Sequence, residues 1–323
     1  MRFLAICAIV CYHSIVPVPG VTYSADPAGM AKIMLWSALP LLFIVSGFAH
    51  GASRGADETP WLVRRLAMLL WVYAVWTVIY SLFGILRHAP WPGIARVVAF
   101  GLAWGHLWYL PALCACTLLT FAGERMRVRP AFMLAASLAL AAVYVTLVWG
   151  WRFDATIPLR TPLFWWFFYV VGHEWSRASC KAAESLQRLS RVALPAVVLL
   201  GITAAAVQTF ANLPGSFPKE VIQGPTAAIV AVVLFGFATS TGVTRRQVRW
   251  MPPLSLPMYL IHPAIITILY WVMVRVGHRL GSSQLEPIVV AAFALAVSVT
   301  LAVVLLSIPW TRLLFAAPWQ RGR

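Results

Sequence analysis

Long apolar stretches occupy most of this chain. A mostly apolar stretch of about 18 or more residues is long enough to cross the hydrocarbon core of a bilayer as an α-helix. A helix also closes its backbone hydrogen bonds internally, as lipid requires. We therefore expect an all-α integral membrane protein, a bundle of about ten transmembrane helices. The predicted spans are 2–18, 30–50, 63–86, 104–123, 131–150, 161–177, 192–211, 224–242, 254–276 and 286–309.

Composition agrees with this interpretation. Hydrophobic residues make up 61% of the 323 residues and charged residues only 11%, whereas soluble domains average about 25% charged residues. The stretch 91–103 is shorter than a span and carries Arg96, which favours a position at the membrane interface. No internal repeat and no attached soluble domain is recognisable. We expect a single transmembrane domain over residues 1–323.

The basic residues predict the orientation of the bundle. The net charge is +16, but the Lys and Arg side chains fall in short connections between spans, so we expect membrane lipids and no nucleic acid as partners. With ten spans, 17 of the 25 Lys and Arg residues lie on the side of both termini and 8 on the other side. Because basic residues are enriched in cytoplasmic loops, both termini are predicted to be cytoplasmic.

The five cysteines do not form a ligand or disulfide pattern. Four of them lie inside apolar runs, and no CxxC pair recurs. We interpret them as small buried apolar residues. The sequence therefore predicts neither a metal site nor a disulfide framework.

An ionisable pair opens the chain. Arg2 and His13 are eleven residues apart, so on an α-helix they lie within about 20° of one face and about 16 Å apart along the axis. Ionisable groups inside a membrane usually face a cavity or a partner. Two interpretations of His13 stay open at this point: a functional site, or a hydrogen bond that holds two helices together.

Other polar residues lie at comparable depth. His262 and Tyr259 are three residues apart in the segment LSLPMYLIHP, which places them near one helix face. The pair Ser46–Gly47 lies inside the second span, where small residues also permit close helix packing.

Several polar residues near span ends have two readings. Arg64 and Arg65 either set the orientation of the chain in the membrane or form a binding site. A position at the membrane–water interface would by itself explain His106 and Trp108. The neighbours His173 and Glu174 form either an interfacial ion pair or part of a site. We assign no role to three histidines at span ends: His50, His88 and His278.

These segments together resemble acyltransferase family 3, the multi-pass membrane acyltransferases that O-acylate bacterial surface glycans. The resemblance covers nearly the whole chain and depends on five short segments in the family's order. They are Arg2 and His13 separated by ten residues, FIVSGF from Phe43 to Phe48, Arg64–Arg65, HLWYL from His106 to Leu110, and YLIHP from Tyr259 to Pro263.

Two departures from the family pattern concern the donor side. Met68 follows the basic pair where the family often has a further Arg, so fewer donor contacts are expected there. Arg2 directly follows Met1, whereas family members usually have a short leader before this Arg.

The resemblance implies an O-acyltransferase of the bacterial cytoplasmic membrane. It would move an acyl group, expected to be acetyl, from cytosolic acyl-CoA to a hydroxyl of a cell-envelope sugar, polysaccharide or lipid-linked glycan. Acetyl-CoA would be a co-substrate, and no tightly bound cofactor is expected.

The resemblance also suggests residue roles. Arg2, Arg64 and Arg65 would bind the phosphates of the coenzyme, since guanidinium groups are suited to bidentate phosphate contacts. His13 would be the general base. An oxyanion donor would come from Tyr259, His262 or Ser46, and a covalent route through His13 or Ser46 stays open. His106 and Trp108 would contact the acceptor.

Two other classes of function fit a chain of this kind. A transporter or flippase of a glycan or glycolipid would also bury His and Arg, but no inverted repeat and no acidic residue at a span centre supports it. A scaffold subunit of a polysaccharide machine would tolerate substitution of Arg2 and His13.

Overall fold

The computed structural model describes residues 2–15, 38–53, 58–86, 105–150, 160–177, 251–275 and 286–316. Within these ranges all regular secondary structure is helical, which confirms the all-α prediction for this part of the chain. The helices, numbered here in chain order, are α1 (Arg2–Ile15), α2 (Ala38–Ala52), α3 (Glu58–Leu86), α4 (Tyr109–Arg125), α5 (Pro130–Gly150), α6 (Arg160–Arg177), α7 (Met251–Arg275) and α8 (Glu286–Ser307). Short 3-10 helices cover Gly105–Trp108 and Thr311–Leu314.

Each of these eight helices corresponds to one predicted span. Three contain stretches that are long and apolar enough to cross a membrane, namely Thr59–Leu82, Pro253–Met273 and Ile288–Ser307. The chain is therefore a membrane protein. The predicted spans 192–211 and 224–242 and the stretch 91–103 lie outside the described residues. The count of ten and the cytoplasmic termini stay predictions.

Two differences between predicted and observed helix starts concern predicted site residues. Helix α3 begins at Glu58 instead of residue 63, with Pro60 in its first turn, where the N–H that proline lacks would have no helical partner. As a result Arg64 and Arg65 lie in the second turn of α3. The fourth span opens with the 3-10 helix that contains His106 and Trp108, and α4 follows it.

The chain divides into two compact units, residues 1–45 with 178–307, and residues 46–177 with 308–323. The prediction of a single domain is not tested by this division. In the described part of the first unit, α1 packs against both α7 and α8, and α7 packs against α8. Its fully buried side chains include Val10, Met258 and Leu260.

In the described part of the second unit, α4 contacts α3 and α6, and α5 contacts α6. Two tryptophans fasten the segment that follows α8 to α3. The indole N–H of Trp71 donates to the carbonyl of Leu313 at 2.8 Å, and that of Trp76 to the carbonyl of Leu314 at 2.9 Å. These bonds satisfy carbonyls at the end of a short helix, which has no further turn to do so.

Two glycines set the contact between the second half of α2 and α6. Helix α2 runs through Ser46 and Gly47 without a break. A Cβ on Gly47 would collide with the carbonyl oxygen of Tyr169, and a Cβ on Gly51 would collide with the hydroxyl of Ser176. The spacing of four residues is the small-xxx-small pattern of close helix packing in membranes. The packing interpretation of Gly47 is thus supported by the structure.

We expect Gly47→Ala to destabilise the protein by about 1–3 kcal/mol, because the added methyl group meets backbone that cannot rotate away. Thermal unfolding of the detergent-purified protein measures this effect. Ala49→Leu is the matched control, since Ala49 is on the same helix and exposed. Equal midpoints for Gly47→Ala and the unsubstituted protein would contradict the close contact.

Candidate functional site

Two histidine rings meet between α1 and α7. His13 lies in the last turn of α1 and His262 in the middle of α7, and their ring centroids are 5.3 Å apart with 34° between the ring planes. His262 is fully buried, whereas His13 is partly exposed. The structure therefore brings together two residues that are far apart in sequence and that were both predicted to belong to the site.

The hydrogen bond of His262 defines its tautomer. Its Nδ1 lies 3.1 Å from the backbone carbonyl oxygen of Met258, one turn earlier on α7. Because a carbonyl can only accept, Nδ1 carries the proton in this bond. In the neutral ring the opposite nitrogen, Nε2, is then the basic one, and it can accept a proton or a hydrogen bond.

Tyr259 adjoins this pair. Its ring centroid is 6.0 Å from that of His262, and only 3% of the residue is exposed. The expectation from their spacing, that these two residues share a face of α7, is met. Tyr259 brings a phenol hydroxyl, a possible donor, to the neighbourhood of the imidazole pair.

The end of α1 is held against α7. The hydroxyl of Tyr270 donates to the carbonyl of Ser14 at 2.7 Å, and the Ser14 hydroxyl donates to the carbonyl of Val10 at 2.8 Å. The ring of Tyr12 meets His13 edge-on at 5.3 Å. These contacts flank His13 on both sides in sequence, so they fix the turn from which its side chain projects.

Arg2 is the first residue of α1. The helix is continuous from Arg2 to Ile15, so the predicted spacing between Arg2 and His13 applies: one face, about 16 Å along the axis. Arg2 is a half-buried residue.

The other predicted site residues lie in the second unit. Arg64 and Arg65 are half-buried on α3. The Nε atom of Arg65 is buried and has no hydrogen-bond partner within the described ranges. Because an unsatisfied buried donor is costly, this guanidinium is suited to receive an anionic ligand.

Ser46 and Trp108 each contact aromatic residues. The Ser46 hydroxyl is 2% exposed and shares a 3.1 Å hydrogen bond with the phenol of Tyr109. The ring of Trp108 lies 5.5 Å from that of Trp165, tilted by 30°. His106 is in the 3-10 helix before α4, and the structure describes its backbone only.

One cluster of polar side chains was not predicted from the sequence. His50, to which no role was assigned, meets His173 and Glu124, and their potential ligand atoms lie within 4.8 Å of one another. Its sequence signal is indirect: His50 lies between Gly47 and Gly51, the two glycines that bring α2 against α6. These three residues are the group in the described part of the chain that could hold a metal ion.

We expect Tyr270→Phe to lower the free energy of unfolding by about 1 kcal/mol, because the Ser14 carbonyl loses its side-chain donor at the end of α1. Thermal unfolding measures this loss. Thr300→Val is the control, since the Thr300 hydroxyl is exposed and donates to the carbonyl of Ala296 within its own helix, α8. An unchanged unfolding midpoint for Tyr270→Phe would contradict a stabilising link between α7 and α1.

Comparison with known proteins identifies the family. No curated protein and no solved structure is significantly similar to the chain. A family profile described as an acyltransferase domain matches residues 1–307, which is nearly the whole chain and includes the histidine pair of α1 and α7. The chain therefore belongs to acyltransferase family 3.

Proposed function

We propose that this acyltransferase uses cytosolic acyl-CoA, in particular acetyl-CoA, to acylate a hydroxyl group of a cell-envelope sugar. The acceptor would be a polysaccharide or a lipid-linked glycan, and the protein would work in the bacterial cytoplasmic membrane. The observation that carries the proposal is the contact between the imidazole rings of His13 and His262, 5.3 Å apart between α1 and α7.

Imidazole chemistry supports His13 as the general base. A histidine can take a proton near neutral pH and return it within one reaction. In our proposal His13 removes the proton of the acceptor hydroxyl while that oxygen attacks the thioester carbon. The C–S bond of the tetrahedral intermediate then breaks, and the departing thiolate takes the proton from His13. The products are the acyl ester and free coenzyme A.

His262 is suited to support His13. With its proton on Nδ1, bonded to the Met258 carbonyl, a neutral His262 offers Nε2 as an acceptor. We propose that this nitrogen accepts a hydrogen bond from His13 when His13 is an imidazolium, which orients the base and stabilises its charge. His262 is then a positioning residue, and the same tautomer disfavours it as an oxyanion donor.

Tyr259 is the favoured oxyanion donor in this scheme. Its phenol is a donor, its ring lies 6.0 Å from that of His262, and donors aimed at the developing oxyanion lower the barrier. The hydroxyl of Ser46, by contrast, is hydrogen-bonded to a phenol instead of a base. That partner does not activate a nucleophile, so we propose direct transfer without an acyl-serine.

Guanidinium groups would bind the donor. Arg2 shares a face of α1 with His13 at a separation of about 16 Å, a length suited to the extended pantetheine arm between the phosphates and the thioester. For Arg64 and Arg65 we propose the same role from their chemistry, since both carry charge that binds phosphate. The buried Nε of Arg65, which has no partner in the ranges described, supports a ligand there.

The acceptor sugar would meet aromatic surface. Trp108 is partly exposed and packs against Trp165, and flat aromatic faces suit the apolar faces of sugar rings. We propose Trp108 and His106 as acceptor contacts on this basis.

We expect His13→Ala to lower the rate of acetyl transfer by about 10²–10⁴-fold, the usual contribution of a general base. The measurement is release of free coenzyme A by purified protein with acetyl-CoA and a glycan acceptor. His278→Ala is the matched control, a histidine to which no role is assigned. Thermal stabilisation by coenzyme A should be the same in both variants, because His13 does not bind the phosphates.

Two results would overturn the proposal. A folded His13→Ala protein that transfers acetyl at the normal rate would exclude His13 as the base. A protein that neither binds coenzyme A nor releases it from acetyl-CoA would exclude this donor.

A further inference from the structure

Three helices of the second unit each contribute one nitrogen or oxygen ligand to a single point. His50 comes from α2, Glu124 from α4 and His173 from α6, and their ligand atoms all lie within 4.8 Å of one another. The side chains are 6%, 8% and 0% exposed, respectively. Two imidazoles and a carboxylate buried together are a common ligand set for zinc.

The distances within this cluster suit one ion. Nε2 of His173 is 2.9 Å from Oε1 of Glu124, and Nε2 of His50 is 3.9 Å from Oε2 of the same carboxylate. Zinc binds nitrogen and carboxylate oxygen at about 2.0–2.2 Å, so two ligands of one ion are at most about 4.2 Å apart. Both histidine–glutamate pairs fall within that limit, and the two imidazole nitrogens, which lie within 4.8 Å of each other, would need to approach by at most about 0.6 Å to bind the same ion.

The contact between His173 and Glu124 does not have the geometry of a hydrogen bond. The two atoms are 2.9 Å apart, yet Nε2 of His173 is buried without a hydrogen-bond partner in the described part of the chain. A hydrogen bond places its proton nearly in line between the two heavy atoms. A metal ion instead joins two ligands at an angle, so an off-line contact at this distance is an arrangement that two ligands of one ion can adopt.

The other nitrogen of each ring has its own partner. Nδ1 of His173 lies 2.8 Å from Oε1 of Glu174, and Nδ1 of His50 lies 2.9 Å from the phenol oxygen of Tyr169. In both rings Nδ1 therefore contacts a residue outside the cluster of three, and Nε2 faces the carboxylate of Glu124. Metal-bound histidines almost always donate their second N–H to a carboxylate or a similar acceptor, which fixes the ring orientation.

The local charge also favours a cation. Glu124 and Glu174 carry two negative charges, and Arg177 supplies one positive charge at 3.2 Å from Glu124 and 3.8 Å from Glu174. With neutral imidazoles this group has a formal charge of −1. A divalent ion would bring the charge to +1 and would pair with the carboxylate that faces both Nε2 atoms.

We propose that His50, Glu124 and His173 bind a divalent transition-metal ion of the zinc type, with a fourth position open to water. The sequence did not predict this metal site, because the cysteines show no metal-ligand spacing and the three proposed ligands are far apart in sequence. This site is separate in its residues from the proposed acyl-transfer chemistry and does not depend on it. The ion would join α2, α4 and α6.

The test uses purified full-length protein without a polyhistidine tag, titrated with Zn²⁺. We expect one zinc per chain after dialysis, a raised unfolding temperature with Zn²⁺, and no such rise with Mg²⁺. Glu124→Gln and His173→Ala should each weaken zinc binding by at least about 100-fold, since each removes a direct ligand. His262→Ala is the matched control and should keep full zinc binding, whatever its effect on acyl transfer.

Two milder variants keep the test valid if a ligand variant fails to fold. Tyr169→Phe removes the phenol oxygen that contacts Nδ1 of His50, together with its 3.2 Å hydrogen bond to Thr117, and leaves all three proposed ligands in place. We expect zinc binding about 10–100-fold weaker. Arg177→Ala removes the cation that competes for Glu124, and we expect tighter binding. A structural ion-pair cluster would show neither change, because it would bind no zinc.

Either of two results would overturn the metal site. The first is that the folded, unsubstituted protein retains no more zinc than a triple variant in which His50, His173 and His262 are all replaced by Ala. The second is zinc binding that is unchanged by Glu124→Gln and Tyr169→Phe. In both cases a proton on His173, shared between Glu124 and Glu174, would account for the cluster.

Discussion

A hydrocarbon solvent offers no hydrogen-bond partner, so a polar group among these helices is stable only when the protein supplies one. His262 bonds the carbonyl of its own preceding turn. The carbonyl of Ser14 receives the hydroxyl of Tyr270 from another helix, and the indoles of Trp71 and Trp76 reach carbonyls beyond α8. Each of these hydrogen bonds fixes the position of a side chain relative to the backbone that it contacts. The bonds of His262 and Tyr270 in this way hold the turns that carry the two histidine rings in place.

Much of this organisation follows from local sequence. Long apolar runs predict α7 and α8 closely, and the eleven-residue spacing of Arg2 and His13 predicts their common face because it needs only the helical repeat. The spacing of Tyr259 and His262 works in the same way. The predicted start of α3, residue 63, is wrong by five residues, because Glu58 and the polar residues that follow it do not resemble a membrane span although they belong to the helix.

Contacts between distant segments could not be predicted, because they depend on which helices are neighbours. The sequence indicates that His13 and His262 are unusual, but only packing of α1 on α7 brings their rings together. His50 was given no role for the same reason. Its partners come from α4 and α6, and nothing local to His50 except the flanking glycines suggests so close an approach of α6.

The central claim is that His13 and His262 act as one catalytic unit, and a double-mutant cycle on the acetyl-transfer rate tests it most directly. The four proteins are the unsubstituted chain, His13→Ala, His262→Ala and the double variant. If His262 acts through His13, the double variant should be about as slow as His13→Ala alone. If the losses of the two single variants multiply instead, the histidines act independently and the claim is wrong.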